Sequence, residues 1–164
     1  MGLSLPSELS SLLSMLGYHW PESDETKLFD LGSNWTGLAD TISGAIDQLE
    51  SAARTVIDNN RSDDIDAFRS EWEDGESAVR NIADIGEPSN IISIGLMIAA
   101  GVVLALKMQM IVQLITLAIQ IAQAIATAVV TFGASLAQIP IFKMITSFLI
   151  DQLLNMAIEA VLNG

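Results

Sequence analysis

The longest charge-free stretch of the chain constrains its fold more than any other feature. Residues 108–142 contain no Asp, Glu, Lys or Arg, and neither do residues 89–106, so Lys107 is the only charge between them. A helix of about 18 apolar residues is long enough to cross a bilayer. The stretch therefore predicts long apolar helices that are either covered by protein or inserted in a membrane.

Charge is concentrated in the other half of the chain. Residues 1–88 carry 18 of the 20 acidic residues and five of the seven basic ones, and the net charge of the whole chain is −13. An acidic chain repels phosphate backbones, which excludes nucleic acid as a partner. It also argues against a basic patch that binds an anionic membrane surface.

The residues needed for catalysis are scarce. The chain has no cysteine and a single histidine, His19, which argues against thiol chemistry, cysteine-ligated metals and histidine-based triads. The acidic residues Asp63, Asp64 and Asp66 fit a helix N-terminus better than a cation site, because the helix dipole favours them there. We therefore expect no enzyme activity, no cofactor, no metal and no catalytic residue.

Apolar residues spaced three and four apart predict an acidic helical hairpin over residues 23–88. The first helix is expected to begin at Ser23 as its N-cap and to run to Val56. The turn is expected at three polar residues, Asn60, Arg61 and Ser62. Ser62 would cap a second helix that runs from Ile65 through Ile82, and the segment Gly86–Asn90 would end it.

The remaining parts complete an all-α prediction. Residues 1–22 form a short helix and a linker, and residues 89–164 form a hydrophobic helical region. A break is expected at Thr131–Ser135, followed by a last helix with Pro140 in its first turn. The predicted fold is an antiparallel helical hairpin plus long hydrophobic helices packed as a helical bundle.

Uncharged polar residues recur at three- and four-residue intervals within the apolar region. This polar stripe consists of Gln109, Gln113, Thr116, Gln120, Gln123, Thr127 and Thr131. In a membrane such a stripe lines a water-filled pore or joins helices. In a soluble protein it is the exposed face of a helix that is buried on its other sides. The residues alone leave both interpretations open.

Lys107 distinguishes these two interpretations. If residues 91–135 insert as a helical hairpin, a mid-helix lysine costs roughly 2.5–3.5 kcal/mol and has to snorkel or face a pore. In a soluble bundle the lysine is expected to reach solvent.

Three stretches together resemble a known family. They are Leu5–Leu16 followed by Trp20-Pro21-Glu22 and Asp24-Glu25, then Asp66-Ala67-Phe68-Arg69 with Trp72, and finally Phe132–Pro140. In this order they resemble the Trp-Xaa-Gly-like N-terminal domain of actinobacterial polymorphic toxins, of which a mycobacterial necrotizing toxin with an outer-membrane channel domain is the best-known member. Asn60, Arg61 and Ser62 stand where that family usually has Trp-Xaa-Gly.

The resemblance implies a type VII secretion substrate. Its export signal is an aromatic residue followed four positions later by an acid, which makes Trp72 and Glu76 the candidates. The implied partners are the type VII secretion machinery or a helical protein, with a membrane as a further partner, and we expect an oligomer. The implied location is secreted or associated with the cell envelope. The N-terminus lacks a basic segment followed by an apolar core, so no standard signal peptide is expected.

Three functions remain open at this point. The first is a non-enzymatic secretion and targeting module of a type VII-secreted toxin, with the capacity to insert into a membrane. The second is a pore or channel formed through residues 91–135. The third is a soluble oligomeric scaffold that buries its apolar helices between subunits.

Overall fold

A computed structural model describes residues 2–163 of the chain, and this part is all-α, as predicted from the sequence. No strand occurs among the described residues. The six α-helices are α1 (Ser7–Met15), α2 (Glu25–Asn59), α3 (Asp63–Glu73), α4 (Ala78–Ala83), α5 (Gly86–Thr127) and α6 (Ile139–Asn163). A short 3₁₀ helix, Ala134–Gln138, precedes α6.

The chain divides into two compact units. The terminal unit comprises Met1–Leu28 and Ile98–Gly164, and the middle unit comprises Phe29–Met97. These limits differ from the predicted boundaries after residues 22 and 88. The reason is that the first residues of the chain fold together with its apolar C-terminal part.

The middle unit contains the predicted antiparallel helical hairpin. Its returning arm consists of α3, α4 and the beginning of α5. Arg80 of α4 donates to Glu50 near the end of α2 over 3.2 Å, and the hydroxyls of Ser93 in α5 and Thr36 nearer the start of α2 lie 2.7 Å apart. The two arms therefore run in opposite directions. A Cβ atom on Gly32 would lie 3.1 Å from the Ser93 carbonyl oxygen. The absence of a side chain at Gly32 therefore allows α2 and α5 to approach closely.

The returning arm of the hairpin is not the single helix that the apolar stripe predicted. Helix α3 ends at Glu73, and α4 begins only at Ala78. Gly75 favours the break, and the Asp74 side chain stabilises it by accepting a hydrogen bond from the backbone N–H of Glu76 over 2.8 Å. The expected ending at Gly86–Asn90 is also wrong, because these residues form the first turn of α5, where Pro88 is tolerated.

Two predicted helix caps had different outcomes. Ser62 caps α3, since its hydroxyl accepts a hydrogen bond from the Ile65 N–H over 3.3 Å. Ser23 does not cap α2. Its neighbour Asp24 does so instead, because the Asp24 carboxylate accepts from the Lys27 N–H over 3.1 Å.

Helix α5 continues without interruption for 42 residues. In this structure the apolar residues up to Thr127 therefore form one helix and not the helical hairpin of the membrane alternative, since Lys107 lies inside α5 and does not break it. The expected break at Thr131–Ser135 is confirmed. Phe132 and Gly133 there adopt left-handed backbone angles, with φ of 51° and 84°.

The core of the terminal unit brings α1, α5 and α6 together. Leu13 of α1, Met110 and Leu114 of α5, and Ile150 of α6 form a buried cluster. The Tyr18 hydroxyl, just after α1, donates to the Asp151 carboxylate of α6 over 2.7 Å. These contacts hold the N-terminal residues against the apolar helices.

Candidate functional site: a buried ion pair and an uncovered apolar surface

Lys107, the only charge between residues 89 and 142, lies in the interior of the terminal unit. Lys107 is only 2% exposed. Its ammonium group donates to the Glu25 carboxylate over 2.8 Å and to the Ser23 carbonyl oxygen over 2.5 Å. The prediction that this lysine reaches solvent in a soluble bundle is therefore wrong. Its environment in a membrane pore stays a prediction.

Glu25 is placed for this role by the first turn of α2. Its second carboxylate oxygen accepts a hydrogen bond from the backbone N–H of Leu3. This hydrogen bond and the one from Lys107 hold the pKa of Glu25 well below its ordinary value, at about 2. The carboxylate is thus charged when the ion pair forms.

An aromatic ring and a glycine complete the arrangement. The Trp20 ring lies 5.9 Å from the Lys107 ammonium group, within the range of a cation–π contact. The Trp20 indole N–H donates to the Leu3 carbonyl oxygen over 3.2 Å. A Cβ atom on Gly2 would collide with the Glu25 carboxylate at 2.7 Å. We call Gly2, Leu3, Trp20, Ser23 and Glu25 the N-terminal clasp.

The clasp is suited to holding a buried charge. Both members of the ion pair have hydrogen-bond partners that match their charges, which lets a charged pair persist in the interior. Among residues 2–163, no group of three or more His, Asp or Glu side chains is arranged to hold a metal ion. The clasp neutralises the one charge that separates two apolar segments of α5.

We expect the stability of the terminal unit to fall as the pH is lowered from about 4.5 toward about 2. Because the pKa of Glu25 is depressed in the folded chain, the unfolded chain binds the proton at a higher pH. The stabilisation is therefore fully present above the ordinary value of 4.5 and is lost as the pH approaches about 2. Urea unfolding at a series of pH values measures this slope.

A matched pair of variants isolates the contribution of Glu25 to this slope. Glu25→Gln should flatten the acid slope, whereas Glu22→Gln, at an exposed position of the same segment, should leave it unchanged. Equal slopes in both variants would contradict the assignment of this titration to the ion pair.

A large apolar surface on α5 and α6 is left uncovered. Two helical stretches, which end at Thr127 and at Leu162, are long and apolar enough to cross a membrane by length and composition. The buried core helix of a soluble protein would pass the same test. Here, however, only 17% of the apolar window in the first stretch and 11% in the second is buried.

Large side chains dominate this surface. On α6, Met144 and Phe148 are about two-thirds exposed, and on α5 Val112 and Ile119 are more than half exposed. Exposed apolar patches beyond a few hundred Å² are rare on monomeric soluble proteins and mark an interaction site. The surface is therefore a candidate interaction site.

The predicted polar stripe lies along α5. All its members from Gln109 to Thr127 are on this helix and are exposed or half-buried, and Thr131 lies in the turn that follows. The threonine hydroxyls turn back to their own helix: Thr116 donates to the Val112 carbonyl oxygen and Thr127 to that of Gln123. A pore lined by the stripe stays a prediction.

Comparison with known proteins identifies the family. A sequence profile described as the WXG100-like domain matches residues 5–148, which is most of the chain. The chain belongs to the WXG100-like domain family. No curated protein and no solved structure matches it.

Membership in the WXG100-like family places the chain among proteins related to type VII secretion. Members of this family are generally secreted, non-enzymatic helical proteins, which act with the secretion machinery or with helical partners and form dimers. These family properties agree with the predicted partners, the type VII secretion machinery or a helical protein, and with the predicted secretion.

In the structure of this WXG100-like chain, the two candidate export-signal residues lie in different elements. Trp72 lies in the last turn of α3, half-buried, with its ring 5.7 Å from that of Phe68. Glu76 is exposed in the connection between α3 and α4, so the two residues do not share a helix. The expected turn residues Asn60, Arg61 and Ser62 lie between α2 and α3. Their roles in export stay predictions.

Sequence reasoning missed the clasp of this WXG100-like chain. In the sequence, Trp20 and Glu25 were noted only as part of the stretch that resembles the family. One signal was available: a lysine surrounded by apolar residues in a helix needs a buried acid nearby. The sequence offers many acidic residues and gives no means of choosing Glu25 among them.

Proposed function

We propose that this chain is the non-enzymatic secretion and targeting module of a type VII-exported polymorphic toxin of the actinobacterial kind. In this proposal its apolar helices insert into a membrane after export. The observation that carries the proposal is the uncovered apolar surface of α5 and α6 in a chain whose family is related to type VII secretion.

The middle unit supplies the secretion part of this proposal. It presents the hairpin of α2 with α3 and α4, and its surface carries most of the acidic side chains. An acidic folded hairpin suits recognition by a helical or basic partner, because complementary charge guides the encounter. Export of the folded hairpin would leave the apolar helices available at the destination.

The buried ion pair supports the membrane part of the proposal. An unpaired lysine in the middle of a membrane helix costs roughly 2.5–3.5 kcal/mol. Lys107 already carries its counter-ion in Glu25, held by Leu3 and Ser23. A neutral pair is far less costly to bring near lipid than an isolated charge.

A pore is the second candidate function. The polar stripe favours it, because its glutamines sit on the surface of α5 where an exposed helix of a soluble protein would normally carry Lys or Glu. In an assembly of several chains this stripe would face a water-filled centre.

Flotation with dye-loaded liposomes tests the proposal. We expect the detergent-free chain to float with vesicles, and Phe148→Asp to lower the partition coefficient on the order of 100-fold, because a charge enters the apolar surface of α6. Phe29→Asp is the matched control, since Phe29 is similarly exposed but lies in the middle unit. It should float like the unchanged chain.

The outcomes separate the candidate functions. Flotation with dye release selects the pore, and flotation without release selects a module that inserts without conducting. A defined soluble oligomer that neither floats nor releases dye overturns the membrane part and selects the scaffold. Equal flotation of the Phe148 and Phe29 variants would show that the apolar helices are not the membrane-binding surface.

A further inference from the structure

Among the described residues, the connection between α5 and the 3₁₀ helix is the most exposed apolar segment. This segment, Ala128–Gly133, is called the apolar tip here. Within it Val129 is 86% exposed, Val130 80% and Phe132 99%. Surface turns in water are normally built from Gly, Asn, Asp, Ser and Pro. A turn that presents two valines and a phenylalanine to water is therefore not adapted to water.

Part of the backbone of the apolar tip is hydrogen-bonded within the chain. The N–H of Gly133 donates to the Ala128 carbonyl oxygen over 2.8 Å, and the N–H of Thr131 donates to that of Thr127 over 3.0 Å. The left-handed angles of Phe132 and Gly133 make this closure possible, as in other helix C-terminal caps. Several carbonyl oxygens that water would solvate at a helix end are thus paired within the chain.

The hydroxyl groups around the tip are also paired internally. The Thr131 hydroxyl donates to the Thr127 carbonyl oxygen over 2.9 Å. The Ser135 hydroxyl donates to the Ala124 carbonyl oxygen over 2.7 Å. Polar groups in a hydrocarbon environment have to be satisfied within the protein, because no water is present to do so. The hydroxyl groups of Thr131 and Ser135 meet this requirement without water.

The flanking sequence places no charge near the tip. The nearest charged residues are Lys107 on one side and Lys143 on the other. The tip, the end of α5 and the beginning of α6 can therefore enter hydrocarbon without carrying a charge with them.

We propose that the apolar tip is the part of the chain that enters a lipid bilayer first, with α5 and α6 following it. This inference rests on the proposed function and names the contact that begins insertion. The partner is the hydrocarbon of a bilayer with neutral headgroups, because a net charge of −13 is repelled by an anionic surface.

Site-specific fluorescence tests the order of entry. The chain contains no cysteine, so a single cysteine introduced as Val129→Cys can carry an environment-sensitive dye without competing labels. Matched positions are Met144→Cys, on α6, and Leu49→Cys, which is exposed in the middle unit. The probes are vesicles of zwitterionic lipid with brominated quenchers at shallow and deep positions, mixed rapidly with the labelled full chain.

We expect the dye at position 129 to shift to shorter wavelength before the dye at position 144, and to reach the deep quencher. The dye at position 49 should remain in water. If the chain floats but the dye at position 129 stays in water or moves last, the tip proposal is overturned and the proposed function stands. Failure of every variant to float overturns both.

A charge in the tip provides a second measurement. Val129→Asp should lower the partition coefficient on the order of 100-fold, because the leading residue becomes charged. Val56→Asp, at an exposed position of α2, should leave it unchanged. Since Val129 is almost fully exposed, the substitution is not expected to unfold the chain. Unchanged flotation of Val129→Asp would overturn the proposal. A dye at position 129 that is shielded from water by a second copy of the chain, without vesicles, would overturn it as well.

Discussion

Glu25→Ala should lower the free energy of unfolding of the terminal unit by about 3–5 kcal/mol. The substitution removes the counter-ion of the buried Lys107 ammonium group, which keeps its hydrogen bond to the Ser23 carbonyl oxygen and its contact with the Trp20 ring. It also removes the acceptor of the Leu3 N–H. The penalty arises from the uncompensated charge more than from the loss of one attractive contact.

Tryptophan fluorescence can measure this loss in the correct unit. Trp20 lies in the terminal unit, whereas Trp35 and Trp72 lie in the middle unit. In a background with Trp35→Phe and Trp72→Phe, urea unfolding followed by fluorescence reports on the clasp alone. Glu22→Ala, at an exposed position of the same segment, is the control and should cost less than about 0.5 kcal/mol.

A double variant distinguishes the lost charge balance from lost packing. Glu25→Leu combined with Lys107→Met replaces the ion pair by apolar side chains of similar size, and such replacements are often neutral or stabilising. We therefore expect the double variant to recover most of the stability that Glu25→Ala loses. If Glu25→Ala costs no more than Glu22→Ala, the ion pair is not buried in solution.

Local signals in the sequence were sufficient to predict much of the secondary structure. Ser62 followed by three acids predicted the start of α3, and the Thr131–Ser135 segment with its glycine predicted the break before α6. These features depend on neighbours within one turn, where propensity and capping dominate. The all-α fold and the hairpin followed from the same local periodicity.

Features that depend on distant residues could not be predicted in the same way. Glu25 and Lys107 are 82 positions apart, and nothing local indicates that they meet. Without Glu25, a lysine in an apolar run looks like an interruption, and a membrane hairpin through residues 91–135 stayed open as an alternative to the single helix α5. The break between α3 and α4 was missed for another reason. The apolar spacing continues through Gly75, and the stripe outweighed the low helix propensity of glycine in the prediction.

Leu114→Ala should destabilise the terminal unit by about 2–5 kcal/mol. Leu114 is 0% exposed and packs with Leu13, Met110 and Ile150, one or more from each of the three helices of the core. Truncation removes buried methyl groups and leaves a cavity that three packed helices cannot readily close. Urea unfolding followed by Trp20 fluorescence measures the effect.

Leu104→Ala is the matched control, because Leu104 lies on the same helix and is 40% exposed. The same chemical change there should cost clearly less, since its surroundings already include solvent. The comparison bears on membrane insertion as well. Suppose that α5 and α6 separate from this core when the chain reaches a bilayer. Leu114→Ala then destabilises the packed form in water but not the membrane-bound form, so its vesicle-bound fraction should rise above that of Leu104→Ala. A Leu114→Ala chain that is destabilised in water yet floats no better would show that this core stays closed in the bound form.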